Sequence, residues 1–165
     1  MSLIDQVVDQ LHRAFDGEAW HGPALMEVLE GIDAETAADR PIPGAHSIWE
    51  LVLHITAWEE VVARRIQGQA ATVSDEENFG HKSGQKSGQN SGEKSPATDS
   101  AWRGAVAKLR DTHNNLIKLA ASLSETQLNE IAPGKDYSLL FMLLGTVQHA
   151  AYHGGQIALL RRSRS

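Results

Sequence analysis

The stretch SIWELVLHITAWEEVVARRIQ, residues 47–67, decides the fold. Leu51, Ile55, Trp58, Val61 and Val62 recur at three- and four-residue spacing, which lines them up along one stripe of an α-helix. Glu59, Glu60, Arg64 and Arg65 fall largely outside that stripe. Ser47 and Glu50 have the spacing of a capping box: the hydroxyl accepts from the amide at the third helical position, and the carboxylate reaches back to the serine amide. Gly68 stops the helix. Near the middle of the stripe, between Leu51 and Trp58, stands His54, an imidazole on a face that otherwise reads as core.

The same period recurs on either side. Toward the N-terminus, Leu3, Ile4, Val7, Val8, Leu11 and Phe15 predict a helix from about residue 2 to 15, opened by Ser2 with Asp5 and ended by Gly17. A second helical piece starts at His21-Gly22-Pro23, where proline suits a first turn, and carries Leu25, Val28, Leu29 and Ile32 inward. Pro41, Pro43 and Gly44 make 39–45 a connector. Toward the C-terminus, Asp99 opens a helix through Trp102, Val106, Leu109, Leu116, Leu119 and Leu123. Ser124 and Gln127 cap a short turn, Pro133-Gly134 breaks the chain, and Tyr137 to about Arg162 predicts a last long helix. No segment alternates as a strand does. Three long amphipathic helices and a split first one predict an all-α protein, a four-helix bundle with at least one long connection.

That connection is residues 74–99, where the composition turns to Ser, Gly, Lys, Gln and Asn and 82–95 read KSGQKSGQNSGEKS. A four-residue period without an apolar member buries nothing and does not offset the ordering entropy of its backbone. The expectation is one domain over 1–165 with a low-complexity loop at about 74–99 that provides neither ligands nor core. His81 and the lysines at 82, 86 and 94 share that reading.

Composition excludes several classes of function. Fifteen Lys and Arg against 21 Asp and Glu give a net charge of −6, so no broad basic face is available for a nucleic acid. There is no cysteine, hence no disulfide and no thiolate ligand. No apolar run approaches the roughly 20 residues that span a bilayer, and Asp5 and Asp9 interrupt the first apolar positions, unlike a signal peptide. The expectation is a soluble cytoplasmic protein without membrane or nucleic-acid partners, acting on a small molecule, with a homodimer compatible with the sequence.

The chain has eight histidines. His149 and His153 are four residues apart, about 40° on a helical wheel, and share a face with Met142, Gly145, Tyr152, Gln156 and Leu160. With His54 they make three inward imidazoles on two helices. Left without partners, each costs about 1–3 kcal/mol in unmet hydrogen bonds, and one divalent ion satisfies all three. Three neutral ligands leave an open coordination position and the full charge of the ion, the pattern of a reactive site. Gln156 reads as an orienting group or a boundary polar residue. Tyr152 reads as a proton donor or a core-edge tyrosine, and His113, between Leu109 and Leu116, as a fourth ligand, a proton carrier or a core residue. Glu50 is explained by capping, His12 by the surface, and His21 and His46 by helix starts. No other cationic residue is expected on the inner stripes near the three histidines. Gly154-Gly155 inside a helix suggests close packing there.

The segments AWHGPALMEVLEGI (19–32), PIPGAHSIWELVLHITAWEEVVARRIQG (41–68) and QHAAYHGGQIALLRR (148–162) resemble the DinB superfamily, in particular its DinB/YfiT-like metal-dependent hydrolases. The resemblance covers nearly the whole chain apart from the 74–99 loop. It implies an up-down-down-up bundle with the long crossover between the second and third helices, and a divalent ion, often zinc or nickel, held by His54, His149 and His153. It also implies transfer of a low-molecular-weight thiol, thiol-dependent isomerisation or hydrolysis; the class alternative is a stress-response protein that binds a metal or small molecule without turnover. Gly154 stands where relatives often carry a basic residue.

Overall fold

A computed structural model describes residues 1–80 and 98–163 of the chain. Its long helices are α1 (Leu3–Asp16), α4 (Ile48–Ile66), α6 (Asp99–Ala121) and α8 (Leu139–Arg162); short helices α2 (Leu25–Leu29), α3 (Ala34–Ala38), α5 (Asp75–Phe79) and α7 (Glu125–Leu128) lie between them. The described residues contain no strand, only two isolated bridges. The capping boxes read at Ser2 and Ser47 both form, the Ser47 amide donating to Glu50 Oε2 at 2.8 Å. Ser138 caps α8 by accepting from the Phe141 amide.

The piece expected from residue 21 through Ile32 is helical only over Leu25–Leu29, and a further short helix, Ala34–Ala38, follows it. Gly31 takes a φ of +74°, in the left-handed region that ends a helix, and Asp33 then caps a new start by accepting from the Thr36 amide at 2.8 Å. Trp102 on α6 donates to the Ile32 carbonyl at 2.7 Å and ties this corner to the rest.

The four long helices close a ring in which α1 and α4 each pack against both α6 and α8. The core inside it comes in two apolar clusters. One gathers Phe15, Leu25, Ile48, Leu51, Ile55, Trp102, Leu109 and Ile157; the other gathers Val7, Leu11, Val62, Leu116, Leu139, Met142 and Leu143. Along α4, α6 and α8 the polar residues Glu59, His113, Thr146, His149 and His153 fall between the two sets, with His54 at their border. The helical period thus interrupts the core with a polar layer, and the site lies in it. Among the described residues no helix is long and apolar enough to cross a membrane.

Several expectations change. Glu59 and Arg65 are not outside the stripe but inside the protein, at 1% and 3% exposure. Tyr152 is not at the core edge but 65% exposed. A Cβ on Gly154 or Gly155 would meet nothing within 4 Å, so none of the described residues packs closely there. The 74–99 tract is not uniformly idle, because Ser74 caps α5 and Thr98 caps α6; the repeat at 82–95 and His81 lie outside the described residues.

Candidate metal centre

His54 on α4 meets His149 and His153 on α8 at the centre of the polar layer. His149 Nε2 is 2.9 Å from His54 Nε2 and 3.1 Å from His153 Nε2, and one ligand atom from each residue lies within 4.8 Å of the others. Three nitrogens each about 2.0–2.1 Å from a tetrahedral zinc stand about 3.3 Å apart, so the cluster is close to the size a metal requires.

The far side of each outer ring is held. His54 Nδ1 lies 2.6 Å from Asn78 Oδ1, and the same oxygen accepts from Trp58 Nε1 at 3.2 Å. Indole N–H only donates, so the Asn78 atom is an oxygen and His54 Nδ1 must carry the proton. His54 Nε2 therefore presents a lone pair to the cluster. His153 Nδ1 is 2.6 Å from Gln156 Oε1, and with that oxygen facing the ring His153 takes the same tautomer. His149 Nε2 has at most one proton for two lone pairs, so hydrogen bonding within the protein leaves at least one of them unmet. A cation accepts all three. The donor set fits a divalent metal, and the amide oxygens behind it provide the outer hydrogen bonds that metal-bound imidazoles usually have.

The rings are also neutral. Burial, opposed by the Asn78 hydrogen bond, pushes His54 down to about 4, and burial with the neighbouring imidazoles pushes His149 down to about 3. Burial lowers His153 as well, against its bond to Gln156. Ligands that are deprotonated near pH 7 need not release a proton to bind a metal.

Sequence reasoning missed Asn78 and Phe79. Phe79 stacks on His54 at 4.5 Å between ring centroids and on His46 at 3.8 Å, so α5 covers one side of the site. Of the other expected residues, Gln156 is in contact with a cluster ring, and the Tyr152 ring stands edge-on to His153 at 5.0 Å. His113 is not a fourth member of the cluster. Its Nδ1 is 3.0 Å from Glu59 Oε1, and its ring stacks on Phe15 at 3.8 Å. A cavity of about 200 Å³ opens from His149, between Trp58, Val62, Phe141, Met142 and Gly145.

An all-α ring of helices with three imidazoles from two of them converging at its centre defines a class, a helical bundle equipped to bind a metal. The model of the DinB superfamily matches residues 19–157, and the chain belongs to that superfamily. No curated protein matches the sequence, and no solved structure does.

Proposed function

We propose that the protein is a metal-dependent enzyme that activates a small thiol for transfer, or water for hydrolysis, at His54, His149 and His153. The observation that carries this reading is the convergence of three neutral imidazoles, one with a fixed tautomer, beside a cavity large enough for a small molecule. A divalent ion held there, zinc or nickel as the superfamily resemblance implies, would provide a Lewis acid that lowers the pKa of a thiol or water presented to it. The residues of the chain do the rest. Asn78 and Gln156 orient the rings, Phe79 shields His54, and the apolar cavity walls exclude competing water. Proton transfer is assigned to Tyr152, beside His153, or to His113, paired with Glu59 in the same polar layer. A low-molecular-weight thiol is the proposed cosubstrate and a small electrophile the substrate.

A second copy of the chain is the proposed protein partner. Phe141, Leu144, Tyr152 and Leu159 are exposed on α8, which has no charged residue from Leu139 through Leu160, so two such faces meet without like-charge repulsion. Light scattering should give a dimer mass that falls to the monomer in Leu144→Glu.

The functional test is metal analysis of protein purified without a histidine tag, followed by cobalt substitution and titration with common small thiols. We expect one metal per chain and a change in visible absorption on adding thiol, both absent in His149→Ala. Metal binding with no response to thiols and no metal-dependent turnover of ester, amide or epoxide panels would replace the enzyme reading with binding alone.

A further inference from the structure

The cavity that opens from His149 is lined along α4 from Trp58 to Arg65 and along α8 from Phe141 to His149, so one imidazole of the cluster and a buried arginine both border it. α4 and α8 run in opposite senses beside it. His54 meets His149, Val62 and Met142 line the middle, and Arg65 lies beyond them. At 1.5 Å per residue, the α4 wall from Trp58 to Arg65 is about 10 Å long. Between them the walls are mostly apolar, with Glu59 and Thr146 as polar exceptions, and Gly145 leaves space because a Cβ there would meet nothing within 4 Å.

Arg65 lies far along α4 from the three histidines, so no cation is added beside them, but it was read as outside the stripe and is inside the protein. It is buried, yet its Nε and Nη2 both donate to one neutral acceptor, the Ala71 carbonyl, at 3.1 and 2.7 Å. Among the described residues no carboxylate forms an ion pair with it. A guanidinium stays charged at any physiological pH, and a buried charge without a counter-ion is costly. The other charge on the cavity wall, Glu59, does not compete for a ligand head group. Its Oε1 faces His113, and its Oε2 has no hydrogen-bond partner and is enclosed by protein atoms.

We propose that this cavity binds a small carboxylic acid with an apolar body, its carboxylate on Arg65 and its other end beside His149. A cavity of about 150 Å³ admits benzene, so about 200 Å³ suits one aromatic ring or a short alkyl chain plus its linker. Which end reacts rests on the metal-centre reading above; binding of the acid does not.

Isothermal titration of the full-length protein, chelator-treated and metal-loaded, with 3-phenylpropionate, 3-phenylpropanamide and 3-phenylpropylamine separates the possibilities. We expect the acid to bind both forms at least about tenfold more tightly than the amide or amine, the range of a hydrogen bond to a charged group. Arg65→Met should remove that preference, Arg65→Lys should retain part of it, and Gly145→Leu should exclude all three compounds while leaving metal content unchanged. If Arg65→Met does not fold, the three-ligand comparison on the unsubstituted protein and Gly145→Leu still decide. Equal affinity for the three compounds, preference for the amine, or no binding would each overturn the proposal. Acid binding only to the metal-loaded form would also overturn it, by giving the carboxylate to the metal, and would leave the metal centre standing. A chain that binds no metal but still selects the acid through Arg65 would have the opposite meaning.

Discussion

At the residue scale the site depends on two amide oxygens as much as on three imidazoles. Asn78 fixes the proton on His54 Nδ1, so Asn78→Ala should lower metal affinity by about 10- to 100-fold, measured by competition with a chromophoric chelator, while Asn78→Asp, which keeps an acceptor, should not. Unchanged affinity in the alanine variant would remove Asn78 from the site. The imidazoles also set a pH dependence. His54 and His149, depressed to about 4 and about 3, are neutral in the folded protein over a range where the unfolded chain takes up protons near 6.5. The unfolded state thus binds more protons below about pH 6.5, and stability must fall as the pH drops through that window toward 3. Urea midpoints of metal-free protein at pH 7, 5 and 4 should decrease in that order; a flat profile would mean the rings are solvated. His54 was legible because an imidazole in an aliphatic stripe departs from the period. Asn78 was not, since one amide in a polar tract carries no periodic signal and meets His54 only when the chain folds back.

At the element scale, caps and stops were readable because they act within a few residues. Ser2, Ser47 and Ser124 begin helices where hydroxyls reach their own first turns, while Ser138, which caps the last helix, was not singled out. The burial of Glu59 was not readable from α4 alone, because a carboxylate seen on one helix is outward by default. Its partner His113 comes from α6. Glu59→Ala leaves that imidazole without its acceptor, and a urea titration should show a loss of about 1–3 kcal/mol. No loss would mean that solvent or another group replaces the carboxylate. The crossover divides in the same way. Deleting 82–95 should preserve helical circular dichroism and metal affinity, because shortening a polar loop lowers its closure entropy. Extending the deletion to residue 75 removes Asn78 and Phe79 and should weaken metal binding at least as much as Asn78→Ala. A fall in Tm of more than about 5 °C in the short deletion would show that the repeat packs, since 1 kcal/mol is worth roughly 2–4 °C in a chain of this size.

At the scale of the whole molecule, the polar layer between two apolar clusters is the arrangement that links stability to function. A layer of imidazoles and a carboxylate contributes less to the core than aliphatic residues would, and a bound ion restores part of the difference. At a free metal concentration 100 times its Kd the folded state gains about 2.7 kcal/mol. Differential scanning calorimetry should then show Tm rising by about 5–10 °C on adding the metal, with no rise in His149→Ala. A rise that persists in that variant would place the ion elsewhere.

The amino-acid order by itself determined the helical class, the principal helix starts, the superfamily and the three histidines that face inward, because each of these is carried by spacings of three to four residues or by short contiguous motifs. Only the tertiary structure decided that those histidines share one point, that Asn78 and Gln156 hold two of them, and that Arg65 and Glu59 line the interior. These depend on distances between elements, and a helical period says which way a side chain points without saying what it meets.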